Sequence, residues 1–218
     1  MRGGWQDERV KEALNLCLPA NERATRLSRQ TFTLGEFLDR NASRIALPKL
    51  HRKAIVHGHC HHRAIMKMDS ERRVLDAMEL DYELLDSGCC GMAGSFGFER
   101  EHYDVSRKVG ELVLLPAVHH ADESTLIVAD GFTCREQIAQ TTRRRAMHLA
   151  EVIALASKEG PEGHVERLPE LRWVPDYAAA ARQQGRTFFV ATALTGLALG
   201  AYALYTVRRP QGRVEATK

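Results

Sequence analysis

The chain has 218 residues and a mass of 24.5 kDa, with 44% hydrophobic and 27% charged residues. That is globular composition, and it excludes wholesale disorder, a collagen-like repeat and a polytopic membrane protein. Thirty-one basic against 28 acidic residues leave a formal charge of +3, too near balance to argue for a nucleic-acid partner.

Met1-Arg2-Gly3-Gly4-Trp5-Gln6-Asp7-Glu8 holds no apolar run of signal-peptide length, so a reducing compartment is expected. Residues 8–18 have helical spacing through Val10, Ala13, Leu14 and Cys17, ended by Pro19. Cys17, among Leu14, Leu16 and Leu18, reads as a buried free cysteine. Thr33 and Glu36 form a capping box for a short helix carrying Leu34, Phe37 and Leu38. Pro48 and the basic stretch Lys49–Lys53 mark a boundary. Ala54–His57 is an apolar run opening into Gly58, as a buried strand does. Ile65, Met66 and Met68 suggest one helix, and Ser70 is the expected N-cap of another with Val74, Leu75 and Met78. Tyr82–Leu85 reads as a second strand ending at Ser87-Gly88. Val105, Val109, Leu112 and Val113 suggest a helix closed by Pro116, with His119 and His120 in a loop. Leu126–Ala129 is a third strand, ending at Asp130-Gly131. Ile138 to Ala156 predicts one long helix, with Arg143, Arg144 and Arg145 on its solvated face; contact with acidic lipid is the alternative. Strand and helix alternate three times, which predicts an α/β fold: a Rossmann-like parallel sheet with flanking helices.

Residues 158–186 are charged and proline-punctuated, as a linker is. Thr187 to Val207 carries no charge over 21 positions and is flanked by Arg182, Arg186, Arg208 and Arg209. The length suits a C-terminal apolar, transmembrane helix, with Gly196 and Gly200 as a packing pair. The alternative is an alanine-rich helix packed on protein. Residues 208–218 form a basic tail.

Four of the five cysteines fall just after predicted strands: Cys60 after the first, Cys89 and Cys90 after the second, Cys134 after the third. Loops following the carboxyl ends of parallel strands line one edge of the sheet, where ligands collect. The four thiols are therefore expected to converge as cofactor and metal ligands. Thr133 and Glu136 suggest a capping box that sets Cys134 at the first position of a helix, where thiolate is favoured. Glycines 88, 91 and 94 allow close backbone approach around the adjacent pair. Four thiolates suit an iron–sulfur cluster or a structural zinc. Directly adjacent cysteines strain to bind one tetrahedral ion but reach two irons of a larger cluster, which favours iron–sulfur. His57, His59, His61 and His62 are each candidate ligands or proton donors, but neighbours on a strand point to opposite faces, so not all can face one ion. Tyr103, Phe96 and Phe98 read as packing residues.

The segment Asp86-Ser87-Gly88-Cys89-Cys90-Gly91-Met92-Ala93-Gly94-Ser95-Phe96-Gly97, with His59-Cys60-His61 upstream and Gly131-Phe132-Thr133-Cys134-Arg135 downstream, resembles the cysteine-rich CCG domain. That family includes the heterodisulfide reductase B subunit and the iron–sulfur subunits of glycolate oxidase and anaerobic glycerol-3-phosphate dehydrogenase. The nearest likeness is to the C-terminal part of FAD-linked oxidases fused to iron–sulfur domains, which act on D-2-hydroxy acids. The resemblance covers roughly residues 31–155. It implies an iron–sulfur domain over 51–157, with residues 1–50 as a mostly helical remnant of a preceding cysteine-rich unit. Carried over, Cys60, Cys89, Cys90 and Cys134 are the matching ligands. Gly131 stands where the family pattern has the first cysteine of its closing pair, so a four-thiolate [4Fe-4S] site is the expectation.

What the resemblance implies is an electron-transfer module, as a subunit or C-terminal fragment, of a flavin-linked oxidoreductase that oxidises a 2-hydroxy acid such as glycolate, D-lactate or D-2-hydroxyglutarate and passes electrons toward quinone. FAD is expected only on a partner chain or separate domain, and a ferredoxin-like iron–sulfur protein is the other expected partner. The expected place is the cytoplasmic side of the cell membrane, anchored by the C-terminal helix, with the cytoplasm as the alternative. Two other functions compete. One is a zinc-stabilised docking domain without redox activity. The other is a thiol enzyme using Cys89 or Cys90, disfavoured because a vicinal disulfide is strained.

Overall fold

The structure is a computed structural model and describes residues 13, 16–18, 21–162 and 167–174. The three strands fall where the sequence placed them: β1 (Lys53–His57) and β3 (Leu126–Ala129) are apolar runs, and β2 (Asp81–Leu84) is the half-exposed Asp-Tyr-Glu-Leu segment. All pair in parallel in the order β2-β1-β3, with Ile55 opposite both Glu83 and Ile127. Side chains alternate across the sheet. Ala54, Val56, Leu126 and Val128 enter one core, while Ile55, Ile127 and Ala129 enter another. A parallel sheet covered on both faces requires such unbroken apolar runs.

The first core is closed by α2 (Leu34–Arg40), α4 (Asp69–Ala77) and α8 (Leu149–Glu159), through Leu38, Val74, Leu75, Val152 and Leu155. The second is closed by α6 (Leu114–His120) and α7 (Phe132–Thr141), through Leu114, Val118 and Ile138. The remaining helices are α1 (Glu22–Gln30), α3 (Cys60–Ile65), α5 (Tyr103–Gly110) and the short α9 (Glu170–Trp173). Leu38, Leu50 and Val174 share the core of β1. The mixed helix and parallel sheet agree with the α/β expectation.

The box at Thr33 and Glu36 forms at the start of α2 with both reciprocal bonds in place. Helix α1 has no counterpart among the elements read from the sequence. Its signal is Asn21, whose side chain accepts from the amides of Arg23 and Ala24.

Several local expectations are overturned. The long helix is two, α7 and α8, because the chain breaks out at Thr142. There the Arg144 amide donates to the Thr142 hydroxyl, and Met147 pairs with Val128 in a single parallel bridge. That bridge satisfies backbone groups at the outer edge of β3. Arg144 is not solvated: its guanidinium is buried against Glu170 and the carbonyl of Thr125. Pro116 does not close a helix but lies in the first turn of α6, where its missing N–H costs nothing. His119 and His120 are therefore helical, though exposed. Val105 and Leu112 are exposed, as are Phe98 and Tyr103. Ser70 does not cap α4; it lies inside the helix and donates to Asp39. Cys17 is exposed beside exposed Leu16 and Leu18, so that face of the turn is not core among the described residues.

Most of the helix expected at 8–18, and the apolar run 187–207, lie outside the described residues. No helix among the described residues is long and apolar enough to cross a membrane.

Candidate metal centre

Each strand end delivers sulfur to the same edge of the sheet. Cys60 opens α3 after β1, Cys89 and Cys90 follow β2 in a loop, and Cys134 lies in the first turn of α7 after β3. Helix α7 begins two positions earlier than the capping box implied. Gly131 is its N-cap with no side-chain cap, so Cys134 is the third helical residue rather than the first.

The vicinal pair divides between two partners. Cys89 is half-buried and hydrogen-bonded to Cys60; Cys90 is buried and hydrogen-bonded to Cys134. The two pairs sense each other electrostatically: Cys90 acts on Cys60, and Cys60 and Cys89 act on Cys134. The hydrogen bond from Cys134 holds the Cys90 thiol well below its ordinary range. Burial opposes this, while the His57 imidazole and the Met92 amide reinforce it. Cys134 is pushed up by the same bond and by burial. Cys60 is raised by burial first and then by Cys89. Cys90 and Cys134 cannot both shed their protons in this buried place without a cation beside them.

His57 completes the inner half. It is the last residue of β1 and shares the sheet face of Ile55, the face on which Cys90 and Cys134 pack. One of its ring nitrogens and the sulfurs of Cys90 and Cys134 all lie within 4.8 Å of one another, and all three residues are buried. Nδ1 is 2.5 Å from the Ser87 hydroxyl, and buried Nε2 has no hydrogen-bond partner. Cys60 and Cys89 are outside this close triad. Of the other histidines, His59 packs on Gly131, and buried His62 is 3.8 Å from buried Glu71.

Glycine sets the close approaches. Gly91 has φ +96, and a Cβ there would stand 2.0 Å from the Ser106 carbonyl oxygen on α5. Its amide donates to the Cys89 sulfur at 3.3 Å. A Cβ at Gly131 would stand 2.9 Å from both the Cys134 sulfur and the His59 ring. Gln137 supports the loop from behind, donating to the Ser106 carbonyl at 3.1 Å. The sequence alone does not single out Ser87, Ser106 or Gln137. Only Ser87 carries a signal: a small polar residue at the end of a strand, beside the cysteines.

These features fit a metal or iron–sulfur group: soft sulfur donors, an orphaned buried nitrogen, and glycines that keep side chains out of the space beside the sulfurs.

Comparison with known proteins gives the following similarities. Over 118 residues, 51% of this chain, it is 33% identical to the C subunit of the anaerobic glycerol-3-phosphate dehydrogenase of Escherichia coli (strain K12), covering 28% of that protein. Over 67 residues, 31% of the chain, it is 33% identical to the D-2-hydroxyglutarate dehydrogenase of Pseudomonas putida (strain KT2440), covering 6% of that protein. The chain thus spans about a quarter or less of the curated relatives it matches. No family model matches, and no solved structure matches.

Proposed function

We propose that this chain is an iron–sulfur electron-transfer module of a flavin-linked dehydrogenase, with a [4Fe-4S] cluster held by Cys60, Cys89, Cys90 and Cys134. The single observation that carries this reading is the division of the vicinal pair, one sulfur to the rim with Cys60 and one to the interior with Cys134. Donors spread in that way suit several irons better than one ion. Similarity to one subunit of a dehydrogenase and to a second dehydrogenase supports the same class of role. Bound there, the cluster supplies one-electron storage between a donor and an acceptor. The protein's own part is to hold four thiolates, to donate the Gly91 amide to sulfur, and to keep Cys90 and Cys134 from water.

In this reading an FAD-bearing partner or domain oxidises a 2-hydroxy acid, a ferredoxin-like partner adjoins it, and electrons go toward quinone. The 187–207 run would anchor the assembly at the cytoplasmic face of the membrane. Full-length protein purified without oxygen should be brown, with about four irons per chain. A removal of residues 187–218 that leaves membrane fractionation unchanged would remove the anchor from the proposal.

A second reading has its own observation. The compactness of His57, Cys90 and Cys134, within 4.8 Å, also suits a single zinc in a structural site. One zinc per chain, with thermal stability lost to a chelator, would establish that reading instead.

A further inference from the structure

We infer that His57 is a direct ligand of the metal centre through Nε2, held in place by Ser87. The inference rests on the iron–sulfur reading above and adds a nitrogen donor to it.

Three observations carry it. First, His57 is 2% exposed and its Nε2 is a buried polar atom without a hydrogen-bond partner. Leaving such an atom unpaired is costly, and it is rare in a native interior unless a group beyond the protein chain satisfies it. Second, the ring stands with the sulfurs of Cys90 and Cys134 inside 4.8 Å, so an iron held by either sulfur comes within reach of the ring nitrogen as a further ligand. Third, the other ring nitrogen is already engaged, 2.5 Å from the Ser87 hydroxyl. With Nδ1–H donating to that oxygen, Nε2 carries the lone pair. A metal-binding imidazole nearly always has this arrangement, its second nitrogen fixed by an outer partner.

The fold separates this histidine from His59 and His62. Alternation along β1 puts residue 57 on the face of Ile55, toward the cysteine-bearing core. His59 precedes α3 and packs on Gly131, and His62 faces Glu71 instead.

The experiment uses full-length protein carrying nitrogen-15 histidine, loaded anaerobically with iron and sulfide, reduced, and examined by pulsed electron paramagnetic resonance alongside an iron assay. Direct ligation gives a strong nitrogen hyperfine coupling whose pattern changes with the isotope. In His57→Cys, which keeps a donor at the position, iron should be retained and the nitrogen coupling lost. Ser87→Ala should leave the coupling present but weaken metal retention about 10- to 100-fold in a chelator competition. Wild-type protein with a full complement of iron but no strong nitrogen coupling would overturn this inference and leave the cluster reading standing. Wild-type protein that takes up no iron would overturn both.

Discussion

Gly91→Ala should be far more damaging than Gly88→Ala, although both glycines flank the cysteine pair and both have positive φ, +96 and +61. For Gly88 nothing lies within 4 Å of an added Cβ, so the cost is that of placing an L-residue in a left-handed conformation, about 1–2 kcal/mol. At Gly91 the same methyl would sit 2.0 Å from the Ser106 carbonyl oxygen. The nearest tolerable approach is about 3 Å, so α5 must retreat by about 1 Å. Overpacking of that kind costs about 1–3 kcal/mol. The retreat also strains the bond from Gln137 to that carbonyl, a contribution of about 1 kcal/mol. With the same left-handed cost included, the loss for Gly91→Ala is therefore about 3–6 kcal/mol. The assay is urea unfolding of reduced, metal-free full-length protein. At a slope of about 2 kcal/mol per molar urea, the midpoint falls by about 1.5–3 M for Gly91→Ala and by about 0.5–1 M for Gly88→Ala. Equal midpoints for the two variants would refute the view that Gly91 is required by close approach to α5 rather than by its turn alone.

Arg144→Ala leaves Glu170 fully buried without its partner and should cost about 3–5 kcal/mol in thermal or urea unfolding, whereas Arg144→Met combined with Glu170→Leu should recover most of the loss. A double variant no better than the single one would show that the pair is not what Glu170 depends on. Arg73 holds the Asp39 carboxyl down to about 2, below the usual carboxylate value of about 4. Its contribution to stability is therefore fully present above about pH 4 and lost as pH falls through about 2. The stability difference between wild type and Asp39→Asn should shrink over that window, and a difference constant from neutral pH to pH 2 would refute the pairing. Cys90→Ser should abolish metal retention, while Cys17→Ser, an exposed position, should retain the wild-type metal content. Equal metal content in both variants would remove Cys90 from the centre.

The strands were legible because a parallel sheet buried on both faces leaves unbroken apolar runs, and Ala54–His57 and Leu126–Ala129 are such runs. The convergence of cysteine-bearing loops followed from topology alone, since parallel strands share a carboxyl edge. What stayed hidden depended on tertiary partners. The apolar spacing from Ile138 to Ala156 continues in helical step through a break, and only the burial of Arg144 on Glu170 and the pairing of Met147 with Val128 reveal it. Three arginines in a row look solvated until a distant carboxylate, 26 residues away, accepts one of them. His57 was one of four equivalent-looking histidines. Its distinction is the parity of its place on β1 together with Ser87, 30 residues later, and no local pattern joins those two positions.

The most direct measurement is metal and acid-labile sulfide analysis of anaerobically purified full-length protein, read with its visible absorption. The expected result is about four irons and four sulfides per chain, with broad thiolate-to-iron absorption. One zinc per chain, or protein that stays colourless and iron-free after reconstitution with iron and sulfide, would contradict an electron-carrying centre at this edge of the sheet.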